Sequence, residues 1–219
     1  VQGPKAADVL AKVFGERIYS IKKFNFDYFS LDGSSQLIAK TGYSRIGGFE
    51  IYLSRPELGS SLWETILEAG RSENIRPGSP NIIDRVEAGL LSFGNEMTVE
   101  NTPLECNMDK FLDINKEADY IGKKVLQRQI RYGIKRRIRG VIYNGPKLPT
   151  ISRPLQVFDI DKRTIVGSLT SGAFSPHFKR NIGVGMIKYG YWDNNKKILV
   201  NIADQEFREG LIKDLPLIQ

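Results

Sequence analysis

The 219-residue sequence is 41% hydrophobic and 26% charged, which is typical of a folded globular protein and excludes disordered, collagen-like and coiled-coil classes. No segment approaches the ~18 apolar residues of a membrane span and no signal segment opens the sequence, so we expect a cytoplasmic protein without membrane contact. A single cysteine and a single histidine allow no intramolecular disulfide and leave almost no zinc ligands, so no metal site is expected. The net charge of +7 favours an anionic partner without identifying it.

The first 91 residues contain both helical and extended patterns. Apolar residues at helical spacing, with a proline at the start and a glycine at the end, predict a helix over residues 4–14. Alternating aromatic residues and an Asp-Gly turn predict a hairpin over residues 24–40. A further strand is predicted at residues 49–53, and two further helices at residues 56–69 and 80–91.

The second part of the sequence has a different character. After a helix predicted at residues 120–129, only short runs bounded by Gly, Asn, Asp or Pro remain. They predict strands at residues 137–143, 155–160, 164–170, 182–188 and 196–202. The sequence therefore predicts an α+β fold, with an α+β region over residues 1–132 and an all-β sandwich or barrel over residues 133–219.

Residues 122–139 form a basic segment with eight Lys or Arg residues and no acidic residue. Such a segment can bind phosphate groups, but Tyr132 is its only aromatic residue that could stack on a nucleic-acid base. We therefore interpret the segment as a solvated face or a contact for a small anion, and we expect no nucleic-acid partner.

Cys106 and His177 are the residues whose side chains most often act as nucleophile or base. Glu105 lies beside Cys106 and would raise, not lower, the pKa of its thiol. His177 lies in a turn-like Ser-Pro-His-Phe run without a nucleophile next to it. We interpret both residues as structural.

The strand predicted at residues 49–53 carries a pair of polar side chains. Its period of two places Glu50 and Tyr52 together on the face opposite the apolar residues, directly after a glycine-rich loop that contains Tyr43. A carboxylate can accept two hydrogen bonds from an amidine-like heterocycle edge, and a tyrosine ring can pack on a cation or a flat ring. From these residues alone, an ordinary exposed strand face is the simpler interpretation.

Six motifs add information beyond these patterns. They are Gln2-Gly3-Pro4-Lys5, Thr41-Gly42-Tyr43-Ser44 followed by Gly48-Phe49-Glu50-Ile51, residues 84–90 (DRVEAGL), residues 102–105 (TPLE), residues 120–123 (YIGK), and Ser171-Gly172 to Ser175-Pro176 with Lys179 and Asn181. In this order they resemble the folate-dependent aminomethyltransferases, the family of the glycine cleavage T-protein. The resemblance covers essentially the whole sequence.

Within that family, residues 44–50 (SRIGGFE), 76–83 (RPGSPNII) and 89–95 (GLLSFGN) are similar to dimethylsulfoniopropionate demethylases. The resemblance implies transfer of a methyl group from the sulfonium of dimethylsulfoniopropionate to N5 of tetrahydrofolate, without a metal or a covalent nucleophile. It also implies that Glu50 binds the amino-pyrimidine edge of tetrahydrofolate. Tyr43 and Tyr52 would then be substrate-binding residues near the sulfonium.

Two departures from the family pattern keep alternatives open. The demethylases have a tryptophan at the position of Tyr43, so a T-protein-type aminomethyltransferase is a second hypothesis. Family members also have a further region before the motif at Gln2, about a third of their chain, which supplies the catalytic group and one wall of the folate cavity. The resemblance therefore implies a fragment, or a chain completed by another chain, that is inactive alone. A non-catalytic folate-binding module is the third hypothesis.

Overall fold

Two units, Val1–Asn81 and Ile82–Gln219, make up the chain, of which the computed structural model describes residues 1–79 and 81–218. In the first unit, helix α1 (Ala6–Phe14) precedes the strands β1 (Phe26–Leu31), β2 (Ser34–Ala39) and β3 (Glu50–Tyr52), which are followed by helix α2 (Gly59–Ala69). Short 3₁₀ helices lie at Glu16–Ser20, Pro56–Leu58 and Arg71–Glu73. The three strands form one antiparallel sheet in the order β1-β2-β3.

The core of the first unit lies on one face of this sheet. Helix α1 presents buried Ala6 and Leu10, four residues apart, to a cluster that contains Phe29 of β1, Ile38 of β2 and Phe49 just before β3. Helix α1 ends where Gly15 adopts a φ of 85°, a conformation that favours glycine. Because strand side chains alternate, the residues on the other face point away from this core, and Phe26, Tyr28 and Tyr52 there are more than half exposed.

The second unit contains a closed antiparallel barrel. Helix α3 (Ile82–Glu87), a 3₁₀ turn at Asp109–Phe111 and helix α4 (Lys123–Tyr132) precede its six strands. These are β4 (Arg136–Tyr143), β5 (Leu155–Phe158), β6 (Ile165–Ser175), β7 (Arg180–Lys188), β8 (Lys197–Ala203) and β9 (Glu206–Lys213). They are hydrogen-bonded in the order β4-β7-β6-β5-β8-β9, and β9 pairs with β4 to close the barrel.

Branched apolar residues fill the interior of the barrel. Val141, Val166, Ile187 and Ile212 are completely buried there, next to Tyr143. Burial of Tyr143 raises the pKa of its phenol to about 12, an effect that the charge of Arg208 partly opposes. None of the described helices combines the length and the apolar character that crossing a membrane would need.

The α+β fold and the C-terminal barrel predicted from the sequence are confirmed. Strand β9 was not predicted. Helix α4 begins and ends three residues later than expected, because Gly122 with a φ of 90° precedes it and Gly133 with a φ of 84° follows it. Helix α3 ends at Glu87, shortly before Gly89 with a φ of 66°, whereas its predicted start at Pro80 lies outside the described residues. The predicted domain boundary at residues 132–133 stays a prediction.

Candidate functional site

The exposed face of the three-stranded sheet carries aromatic side chains and one carboxylate. Ala39 of β2 lies between Phe26 of β1 and Glu50 of β3, and Leu37 lies between Tyr28 and Tyr52 in the next row. Residues that pair across strands lie on the same face. Phe26, Tyr28 and Tyr52 are 57%, 55% and 57% exposed, and the rings of Phe26 and Tyr28 meet edge to face at 5.9 Å. We call Phe26, Tyr28, Leu37, Ala39, Glu50 and Tyr52 the open sheet face.

The carboxylate of Glu50 is oriented by two hydroxyl groups. The Thr41 hydroxyl donates a hydrogen bond to Glu50 Oε2, and the Tyr52 hydroxyl lies 3.5 Å from the same oxygen. Both contacts use one oxygen, and the residue is exposed. The other oxygen, Oε1, is therefore the one better placed to accept hydrogen bonds from a ligand.

The loop before β3 is organised around the side chain of Gln2. Ser44 Oγ donates a hydrogen bond to Gln2 Oε1 at 3.0 Å, and Gln2 pairs with Gly48 in an isolated β-bridge. A Cβ atom on Gly42 would lie 2.3 Å from Gln2 Oε1, and one on Gly48 would lie 2.4 Å from Gln2 Nε2. A Cβ atom at either position would therefore displace the Gln2 amide from its contact with Ser44.

The structure brings the sequence-predicted residues Glu50 and Tyr52 together on the open sheet face, whereas Tyr43, 40% exposed, lies in the adjacent loop. Residue-by-residue reasoning missed Thr41, which orients Glu50, and Gln2, which organises the loop. Both residues occur in the motifs that carry the family resemblance. Those motifs could have indicated that Thr41 and Gln2 matter, although they do not show what either side chain contacts.

A buried polar network lies in the second unit. Arg85 of α3 forms an ion pair with Glu96, with Nη1 and Oε2 2.8 Å apart, and donates a second hydrogen bond to Ser171 Oγ of β6 at 2.5 Å. The side chains of Arg85 and Glu96 are 8% and 0% exposed. Glu87 of α3 accepts a hydrogen bond of 2.5 Å from the completely buried Ser175 of β6. The motif at residues 84–90 and the motif that begins at Ser171 thus meet in the structure and attach α3 to the barrel.

Cys106 is buried, and its burial, together with the charge of Glu105, raises the pKa of its thiol despite the opposing charge of Arg136. The thiol is therefore a poor nucleophile at neutral pH, as the sequence predicted. The His177 ring contacts Phe178 edge to face at 4.9 Å. Over residues 1–79 and 81–218, no three His, Cys, Asp or Glu side chains are grouped so that they could hold a metal ion.

Several cations of the basic segment have structural partners that the local sequence did not reveal. Lys123 of α4 donates hydrogen bonds to the carbonyls of Lys116 and Ala118, at 2.6 and 3.0 Å. Arg136 forms an ion pair with Glu105 at 3.0 Å, and Arg139 forms one with Asp214. The acidic partners come from other parts of the chain, so the segment carries less unpaired charge than its composition indicates.

Comparison with known proteins agrees with this architecture. Residues 1–116 match the GCVT N-terminal domain, and residues 136–215 match the glycine cleavage T-protein C-terminal barrel domain. The dimethylsulfoniopropionate demethylase DmdA of Ruegeria pomeroyi is 41% identical over 192 residues, which are 88% of this chain and 51% of that protein. An aminomethyltransferase of Caldanaerobacter subterraneus is 37% identical over 215 residues, 97% of this chain and 56% of that protein.

A solved structure has the same fold. Glycine cleavage system aminomethyltransferase T from Bartonella henselae matches with a TM-score of 0.81 at 23% identity, over 99% of this chain and 58% of that one. The chain thus spans little more than half the length of these relatives. From the two domain matches, we conclude that the chain belongs to the folate-dependent aminomethyltransferase family of the glycine cleavage T-protein.

Proposed function

We propose that the chain is part of a tetrahydrofolate-dependent methyltransferase that moves a methyl group from dimethylsulfoniopropionate to N5 of tetrahydrofolate. The observation that carries the proposal is the position of Glu50 beside exposed aromatic rings on the open sheet face. The 41% identity to a dimethylsulfoniopropionate demethylase supports this choice of donor.

The residues present fit a pterin. Its amino-pyrimidine edge offers two adjacent N–H donors, and Glu50 offers an exposed carboxylate whose Oε2 already accepts from Thr41. A charge-assisted hydrogen bond of this kind contributes ~1.5–3 kcal/mol. When bound, tetrahydrofolate supplies N5 as the acceptor of the methyl group. The role of Glu50 is to orient the ring, because rate in such a transfer depends mainly on alignment.

The tyrosines suit a positively charged donor. An aromatic face near a sulfonium contributes ~0.5–2 kcal/mol through a cation–π interaction. Tyr52 is two residues from Glu50 on the open sheet face, and Tyr43 lies in the loop that the Gln2 side chain organises. We propose that these two rings bind the sulfonium and keep water away from it.

A second candidate is a T-protein-type aminomethyltransferase that would use the same folate-binding residue. It is favoured by the 37% identity to an aminomethyltransferase over 97% of the chain. Tyr43 also supports it, since the resemblance associates tryptophan at this position with the demethylases. The two candidates differ in donor and not in the proposed role of Glu50.

We further propose that a region corresponding to the N-terminal part of the relatives, or a complementing chain, covers the open sheet face and supplies the catalytic group. Three aromatic side chains on this small sheet are each more than half exposed. So much apolar surface in contact with water is unusual on one small sheet. Without a cover, Glu50 would bind its ligand in water, where charge interactions are several times weaker. The 219-residue chain alone should therefore show no measurable methyl transfer.

The test is calorimetric titration of tetrahydrofolate into the chain completed by the N-terminal region of its relatives. Glu50→Ala should weaken tetrahydrofolate binding more than tenfold, whereas Glu64→Ala, which removes an exposed carboxylate on α2, should leave it unchanged. If Glu50→Ala binds tetrahydrofolate with unchanged affinity, Glu50 does not bind the pterin ring.

Single-turnover assays of the same completed protein separate the candidate activities. Formation of 5-methyltetrahydrofolate from dimethylsulfoniopropionate supports the main proposal. Turnover only with an aminomethyl group on a lipoyl carrier supports the second candidate. Tight tetrahydrofolate binding without either reaction would leave the non-catalytic module as the better description.

A further inference from the structure

The outer wall of the barrel contains a concave region that the proposed folate chemistry does not use. It has a volume of about 610 Å³, which lies within the ~300–1,000 Å³ of typical small-molecule sites. Strands β4, β8 and β9 form its base, and the chain segments around Ile160 and Phe178 form its sides. We call it the barrel-wall cavity.

The base of this cavity is apolar. Ile142 of β4 pairs with Leu211 of β9, and Leu211 pairs with Lys197 of β8, so that the three residues form one outward-facing row. Leu199, two residues from Lys197 on the same face, is only 7% exposed. An outward side chain that is this well covered shows that the wall is concave there, rather than a flat sheet surface.

The rim of the cavity is basic. It is formed by Lys162, Arg180, Lys197 and Lys213, against a single carboxylate, Glu209. In the described part of the chain, none of these four cations forms an ion pair.

The contacts that these cations do make are with neutral groups. Arg180 donates to the amide oxygen of Asn144, Lys213 donates to that of Asn195 at 2.5 Å, and Lys162 lies 5.8 Å from the centre of the Phe207 ring. By contrast, the neighbouring Arg208 has Glu206 as its partner at 3.5 Å. The rim therefore keeps an excess of positive charge around an apolar base.

From this arrangement we propose that the barrel-wall cavity binds a small organic anion, with an apolar body on the Ile142, Leu199 and Leu211 base and a carboxylate or phosphate at the Lys197 and Lys213 side. Unpaired cations at a low-dielectric concave wall attract anions more strongly than the same charges on a flat surface. The apolar base adds affinity for a chain or ring that a simple inorganic anion lacks.

The test uses octanoate as the probe, titrated into the 219-residue chain below the concentration at which octanoate forms micelles. Calorimetry should show saturable 1:1 binding, and methyl NMR signals of Ile142, Leu199 and Leu211 should shift with the same dissociation constant. Octanol and octylammonium, which share the apolar body, should bind at least tenfold more weakly. Equal binding of octanol would overturn the proposal, since the basic rim would then play no part.

Variants locate the site independently. The double substitution Lys197→Glu and Lys213→Glu should weaken octanoate binding at least tenfold, and Ile160→Ser, at a 65% exposed position that does not support the core, should weaken it severalfold. Lys124→Glu, the same charge change on exposed α4 outside the cavity, should have no effect. If the double charge reversal impairs folding, as judged by circular dichroism, Lys197→Gln replaces it and should weaken binding about threefold. Retained affinity in a folded charge variant would overturn the proposal.

Discussion

Arg85 and Ser171 lie 86 positions apart in the sequence and 2.5 Å apart in the structure, from Nη2 to Oγ. The same guanidinium reaches both carboxylate oxygens of Glu96 and the carbonyl of Leu90. Helix α3 has only six residues, too few to be stable alone, so its attachment to β6 depends on these buried polar contacts and on the packing of Val86.

We expect Arg85→Met to destabilise the protein by ~3–5 kcal/mol, because the Glu96 carboxylate would remain buried without its cation. Urea unfolding of the second unit measures this change. Additional replacement of Glu96 by Gln should recover part of the loss, since it removes the uncompensated charge.

The exposed ion pair of Arg55 and Glu57 lies in the first unit and provides the comparison, measured by urea unfolding of that unit. Both side chains are more than half exposed, at 53% and 61%. Arg55→Met should therefore cost no more than ~1 kcal/mol. A similarly small cost for Arg85→Met would show that the buried pair does not hold α3 in place.

The raised pKa of Tyr143 predicts that the protein loses stability at high pH. Its pKa rises from the ordinary value of 10 to about 12 because burial disfavours the phenolate. The folded state therefore holds the phenolic proton more tightly than the unfolded state. This contribution, on the order of 3 kcal/mol, is fully present below pH 10 and disappears as the pH rises towards 12.

Thermal unfolding between pH 9 and 12 should show a shallower decline for Tyr143→Phe than for the unchanged protein, because phenylalanine has no proton to lose. Tyr132→Phe, at a 73% exposed ring, should leave the decline unchanged. Identical pH profiles for the unchanged protein and Tyr143→Phe would assign the decline to other groups.

Gly42→Ala should disorder the loop before β3. The new Cβ would lie 2.3 Å from Gln2 Oε1, and the Gln2 amide is held by Ser44. Limited trypsin digestion reports the change at Arg45, which lies within the loop, and cleavage there should accelerate several-fold. Gly78→Ala, where a Cβ meets nothing within 4 Å, should not change the rate. Equal rates for both variants would mean that the loop accommodates the extra atom.

A prediction that rests on the proposed function concerns Thr41. Thr41→Val keeps the shape of the side chain and removes the hydroxyl that orients Glu50. Tetrahydrofolate affinity of the completed protein should fall about fivefold or more, for a lost hydrogen bond to a carboxylate of ~1–2 kcal/mol. Thr41→Ser keeps the donor and should restore most of the affinity. Equal weakening by both substitutions would contradict an orienting role.

The elements with strong local patterns were predictable from the sequence. Helix α1 and the β1–β2 hairpin have clear periodicity together with turn residues, and the structure contains both close to their predicted positions. Strand β9 was missed because Glu206, Arg208 and Glu209 interrupt its apolar alternation. Its strand conformation comes from pairing with β8 and β4, which lie far from it in the sequence.

The candidate site was predictable only in part. The period of two placed Glu50 and Tyr52 on one face, whereas the contacts of Thr41 and Gln2 depend on how the loop folds back on the chain. The Arg85–Glu96 pair was not predictable either, since isolated charged residues normally indicate surface positions. Its burial follows from tertiary packing, which a local pattern does not contain.

The pairing of β4 with β9 also determines when the barrel can form during synthesis. The barrel cannot close until β9, residues 206–213, has left the ribosome and can pair with β4. The contacts within Val1–Asn81, by contrast, need no residue after Asn81. In the interval, β4 exposes an unpaired edge that another nascent chain could join. The partner of Arg139, Asp214, follows β9, so the charge of Arg139 stays unpaired in that interval and like-charge repulsion should discourage the pairing of two unfinished barrels.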